Sequence, residues 1–122
     1  MHQELLARAE KDDKNAIYRV ACNYLEGNGV EASIADAEKW GWILARLDDP
    51  RSYYIFYEIH LKRGQYEVAK KMLKSAAKEK LEIAYLRLSE CYKSGRLFKK
   101  NKLIAFYWWK KFERAERRLG KK

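Results

Sequence analysis

Apolar side chains return along this chain at helical spacing, in short blocks separated by turns rich in glycine, asparagine or aspartate. From Lys14 to Glu26, the residues Ile17, Val20, Ala21 and Tyr24 fall at i, i+3, i+4 and i+7, which puts them on one face of a predicted helix. Gly27-Asn28-Gly29 ends that helix, because glycine accepts the left-handed conformation past a helix C-terminus. Ser33 is the predicted cap of a second helix, with Asp36 three positions on, and this helix runs to about Leu47 and buries Ala37, Trp40 and Leu44. Asp48-Asp49-Pro50 closes the pair, and Pro50 is expected in the first turn of the next helix, where its missing N–H costs little.

The same logic recurs further on. A helix is predicted from about Leu81 to Lys93, carrying Tyr85, Leu88, Ser89 and Tyr92, with Ser94-Gly95 at its end and Asn101 capping the helix that follows. Ala16, Tyr24, Gly27, Ala37 and Trp40 return as Ala84, Tyr92, Gly95, Ala105 and Trp108, each 68 positions later. That offset is about twice a 34-residue helical-repeat period, so a third copy is expected between the two. Gly64, Ala69 and Ala77 supply it, matching Gly27, Ala37 and Ala45 once the loop is shortened. This middle copy is irregular. Tyr57 or Glu58 stands where a short side chain is expected, and Tyr53, Tyr54, Phe56 and Tyr57 would splay helix 52–63 from its partner.

The motifs Gly27-Asn28-Gly29-Val30 and Ala37-x-x-Trp40 resemble the Sel-1-like repeat. Gly64-Gln65-Tyr66-Glu67-Val68-Ala69 is similar to the related tetratricopeptide repeat. The resemblance covers roughly residues 14 to 118 and is weakest in the third copy, where Leu97-Phe98 replaces Gly-Val. It implies an all-α fold of antiparallel helix pairs, six or seven helices stacked as a short right-handed α-solenoid. The expected organisation is one domain over 1–122: a partial or capping helix in 1–13, then repeats at 14–51, 52–80 and 81–122. Leu5 to Ala9 resemble the tail of a preceding helix, so the N-terminus reads as a cut edge or a cap. Trp40 and Trp108 are expected in equivalent, mostly buried sites.

Composition narrows the function classes. Hydrophobic residues make up 48% of the 122, which excludes a disordered chain although 36% are charged. There is no apolar run long enough to span a bilayer and no secretory signal in Met1–Glu10, so the expected location is cytoplasmic. Cys22 and Cys91 read as small apolar side chains, not a disulfide framework. His2 and His60 are isolated, so no metal site is expected. No nucleophile–base arrangement or phosphate loop is present, and Gly27-Asn28-Gly29 is a helix-ending turn. The expectation is a protein without catalytic residues, cofactor or small-molecule substrate.

Charge points to a partner. Residues 1–61 carry a net −4 and residues 62–122 a net +14, within an overall +10. An acidic protein or peptide partner on the C-terminal half follows from this asymmetry, with nucleic acid or an anionic membrane as the alternative. The resemblance implies an adaptor that holds proteins on a concave face, and a bacterial immunity protein against an acidic toxin is its most concrete version. Repeat register places Tyr18, Ile55, Ile59, Lys62, Leu86 and Lys93 on that face, with Asn15, Cys22, Ser52 and Glu90 beside them. In the last helix, Ile104, Trp108, Phe112, Ala115 and Leu119 form an apolar stripe, while Lys110, Arg114, Arg117, Arg118 and Lys121 form a basic one. Trp109 is the expected anchor of the partner site, ringed by Lys110, Arg114 and Arg117.

Overall fold

In the computed structural model, which describes residues 1–120, seven α-helices account for all the regular structure of the described residues. They are α1 (His2–Ala9), α2 (Lys14–Glu26), α3 (Ile34–Arg46), α4 (Arg51–Lys62), α5 (Tyr66–Lys78), α6 (Glu82–Ser94) and α7 (Lys102–Arg118). None is long and apolar enough to cross a membrane. Lys121, counted above in the basic stripe, lies outside the described residues.

Local chemistry places the helix ends where the sequence signals predict. The Ala16 N–H donates to the Asp13 carboxylate at 3.2 Å, satisfying one of the orphan donors at the start of α2. Ser33 Oγ accepts from the Asp36 N–H at 3.1 Å, and Asn101 Oδ1 accepts from the Ile104 N–H at 3.0 Å. Gly27 and Gly95 end α2 and α6 with φ of 70° and 83°, the left-handed conformation that costs glycine nothing. Pro50 sits one residue outside its expected position, preceding α4 with φ −65°.

The chain divides into two compact units, Met1–Met72 and the residues from Leu73 onward, with the division inside α5. In the first unit, α2 packs on α1 and α3, and α4 packs on α2 and α3. Its core comprises Leu5, Ala9, Ile17, Val20, Leu25, Trp40, Leu44, Ile55, Phe56 and Ile59, closed by small residues at Ala16, Ala21 and Ala37. In the second unit, α6 packs on α7, with Tyr85, Leu88, Ser89 and Ala105 buried.

Helix 52–63, expected to splay from its partner in the middle copy, packs on α2 and α3 of the first copy. Tyr54, Ile55, Phe56 and Tyr57 are buried, and at Ile55 and Phe56 α3 supplies the short side chain that α4 lacks. A Cβ on Gly41 would lie 3.1 Å from Ile55 Cγ2 and 3.4 Å from Phe56 Cζ, so the missing side chain is what lets α4 approach. The two tryptophans also differ. Trp40 is 8% exposed within the core of the first unit, whereas Trp108 is only half-buried, stacked on Tyr85 at 5.8 Å. The physical reason is coverage: α4 lies over the α2–α3 pair, and no described helix follows α7.

Candidate functional site

The α6–α7 pair of the second unit brings two of the sequence-predicted residues together. Lys93, in the last turn of α6, and Trp109, in the middle of α7, line one cavity of about 390 Å³ with Ser89, Lys102, Ala105 and Phe106. Ser89 and Ala105 are buried at the helix crossing, and their short side chains leave the hollow that the larger groups rim. Trp109 is 40% exposed and packs on Phe112 with ring centroids 5.4 Å apart and the planes tilted by 37°. Phe106 is 60% exposed, and Lys110 lies 5.8 Å from its ring centroid. Apolar surface this large, held open beside charged groups, is the ordinary make-up of a binding site.

Electrostatics on this face run one way. Lys93 and Lys102 are exposed, and neither has an ion-pair partner among the described residues. Lys102 opens α7, whose first turn contains no acidic residue, so the positive end of the helix dipole adds to its charge. Lys99 and Lys100 line a separate hollow with Tyr92, Phe98, Asn101 and Ile104. On the other flank of α7, Lys74, Lys78, Lys80 and Lys111 surround a cavity of about 290 Å³ floored by Tyr85, Leu88 and Trp108. Lys111 Nζ lies 5.4 Å from the Tyr85 ring and 6.0 Å from the Trp108 ring, close enough for cation–π attraction.

The other predicted residues fall elsewhere. Lys110 is half-buried and paired with Glu113 at 3.1 Å, while Arg114 and Arg117 are exposed on α7. Leu86 is half-buried on α6, and Glu90 is exposed, paired with Arg87 at 3.2 Å. Lys62 and Asn15 are exposed in the first unit.

Ile55 and Ile59 require a correction. Both have no exposed surface and lie inside the core of the first unit, so they cannot form a pocket for a partner. Their faces of α4 are consumed in covering α2 and α3, and Ser52 is buried on the same helix. The apolar stripe of α7 is corrected in part. Ala115 is buried and Trp108 and Phe112 are half-buried, but Ile104 is exposed, and Leu119 is exposed past the end of the helix.

Tyr18 is half-buried beneath the Arg51 guanidinium, which lies 5.1 Å from its ring centroid. Burial pushes its hydroxyl well above the ordinary tyrosine range and pushes the nearby Cys22 thiol up to about 11. A thiol in that condition stays protonated at neutral pH and is a poor nucleophile. Arg51 is itself held by Asp49, with Nη2 and Oδ2 2.6 Å apart, so Tyr18 belongs to a structural cluster at the start of α4. Among the described residues, no group of histidine, cysteine and carboxylate side chains is arranged to hold a metal ion.

Sequence reasoning left Lys102 out of the site, and took Phe106 only as part of the aromatic surface of the last helix. The signal was the 68-residue offset, which sets Lys102 opposite Ile34 and Phe106 opposite Glu38. A lysine in place of an isoleucine, and a phenylalanine in place of a glutamate, show that the third copy has exchanged apolar and polar positions.

No model of a known protein family matches the chain. Over 113 residues it is 30% identical to an uncharacterised Sel1-like repeat-containing protein of Schizosaccharomyces pombe. That match takes in 89% of this chain, which spans only 17% of the relative's length. Sequence similarity and helix-pair architecture thus agree on an all-helical fold like that of Sel1-like repeats.

Proposed function

We propose that this chain is a non-enzymatic protein-interaction adaptor whose second unit receives an acidic partner on the face shared by α6 and α7. Sel1-like repeats generally mediate protein–protein contacts, which sets the class of activity and leaves the partner to the site. The observation that carries the reading is the convergence of Lys93, Lys102 and Trp109 on one cavity. An exposed indole with a basic rim is the usual composition of an interface anchor, the ring supplying affinity and the charges supplying encounter rate. Arg114 and Arg117 extend the basic surface along α7, and Lys110, although paired with Glu113, adds to it. The matched relative comes from a fission yeast and lends no support to the bacterial immunity version, which forms no part of the proposal.

Association kinetics against a partner, found by crosslinking through an azide-bearing side chain at position 110, test the reading. Reversing Lys110 and Arg114 to glutamate should slow association markedly without changing helix content. Trp109→Ala should instead speed dissociation, with a loss of about 2 kcal/mol. A partner whose binding survives both changes binds elsewhere. Salt separates the nucleic-acid or anionic-membrane alternative, since phosphate binding weakens by orders of magnitude from low to moderate salt.

A further inference from the structure

The 68-residue offset shows what kind of object fits the cavity beside Trp109. Its six lining residues, Ser89, Lys93, Lys102, Ala105, Phe106 and Trp109, correspond to Ala21, Leu25, Ile34, Ala37, Glu38 and Gly41 of the first copy. Four of those counterparts (Ala21, Leu25, Ala37 and Gly41) are buried, and Ile34 packs against the same core. A helix closes over part of this group. α4 packs on both α2 and α3, Ile55 and Phe56 lie against Gly41, and Arg63 at the end of α4 grips Glu38 at 2.8 Å. The cavity in the second unit is therefore the counterpart of a seat that α4 fills in the first.

We infer that this seat takes an amphipathic α-helix of a protein partner, with carboxylates placed opposite Lys93 and Lys102. The inference rests on the adaptor reading and specifies its mode of binding. Shape supports a helix, because the floor keeps the small residues, Ser89 and Ala105, that permit close crossing. Charge supports acidic flanks. Leu25, buried in the first unit's core, and Ile34, packed against it, are replaced by two lysines, and covering a lysine without an opposing charge is strongly unfavourable. Size complementarity is inverted as well. In the first copy the receiving helix carries Gly41 and the arriving one carries the bulky Phe56. In the third copy the receiving helix carries Trp109, so the arriving helix must present a small residue there.

The test uses a side-chain-stapled alanine-based helix with two glutamates one turn apart on one edge, and its lysine counterpart. Binding is followed by NMR on the full chain. The glutamate peptide should shift the Trp109 indole signal and the amides of Ser89, Lys93 and Lys102. Lys93→Glu with Lys102→Glu should weaken it by about tenfold or more and should gain binding to the lysine peptide. Circular dichroism checks that the double variant keeps its helix content. Equal binding of a proline-broken glutamate peptide would overturn the helix seat while leaving an acidic partner in place. Shifts confined to Arg114 and Arg117 would do the same. Concentration-dependent self-association that buries Trp109 would assign the seat to a second copy. A single-stranded DNA oligonucleotide that shifts these signals when neither peptide does would remove the adaptor reading as well.

Discussion

The Asn101 N–H donates to the Tyr92 carbonyl at 2.9 Å, and 68 residues earlier the Ser33 N–H makes the same bond to Tyr24, also at 2.9 Å. The agreement extends outward from this bond. Gly95 donates to Cys91 and Gly27 to Asn23, both at 2.8 Å, and Asn101 and Ser33 share φ within a few degrees, −157° and −154°. Two turns of different sequence thus close in one geometry, since each needs a left-handed glycine, a crossing bond and a side-chain cap. Ser33→Ala and Asn101→Ala should each lower stability by about 1 kcal/mol in chemical denaturation. Equal stability of both variants and the wild type would mean that water satisfies these N–H groups as well as the caps do.

The turns differ at one strained position. Gly29 has φ 76°, and its counterpart Leu97 holds φ 68°, where a branched side chain crowds the backbone. Leu97→Gly should raise stability by about 0.5–1 kcal/mol, the relief of strain exceeding the added unfolded-state freedom. Gly29→Leu should lower it by about 1–2 kcal/mol. Urea midpoints that move in the opposite senses would show that the Leu97 side chain contributes packing worth more than its strain.

Trp40 and Trp108 hold the same repeat position but not the same burial. Trp40→Ala should cost about 3–5 kcal/mol, as truncation in a filled core does. Trp108→Ala should cost less, about 1–2 kcal/mol, because its ring is only partly covered. Thermal unfolding of the pair decides this, and equal losses would show that Trp108 is covered in solution.

Asp49 ties stability to pH. Burial raises the pKa of its carboxyl, but the hydrogen bonds and charge of Arg51 lower it further, so the net value lies below the ordinary one. The charged form is thus favoured by folding. Its contribution is complete above the unfolded value of about 3.9 and is lost as pH falls through the lower folded value. Asp49→Asn should cost about 2 kcal/mol at neutral pH and progressively less below about pH 4. A constant difference down to pH 2 would mean that the ion pair contributes nothing to the acid transition.

Helix boundaries were legible in the sequence because they depend on near neighbours. Ser33, Asn101, Gly27 and Gly95 act through bonds and dihedrals a few residues long, so α2 spans Lys14–Glu26 as predicted, and the others shift by only a residue or so. Repeat equivalence was legible for the same reason, since the matched residues do matching local work. Two of the six residues lining the candidate site were legible too. Lys93 and Trp109 were singled out by charge and by a spare aromatic, and packing then placed them on one cavity with Lys102 and Phe106.

Which face of each helix stays open could not be read from periodicity, because a 3.6-residue stripe reports that a surface is apolar and not what covers it. Ile55 and Trp109 illustrate this. Both looked available, yet Ile55 is wholly buried while Trp109 stands open. Ile55 disappears because Gly41, fourteen residues away on another helix, lets α4 close on the α2–α3 pair. Trp109 remains because its position on α7 repeats that of Gly41 with no described helix over it. Caps, turns and helix spans are short-range properties that the chain encodes locally. Coverage is a long-range property, set by which helices approach closely enough to exclude water.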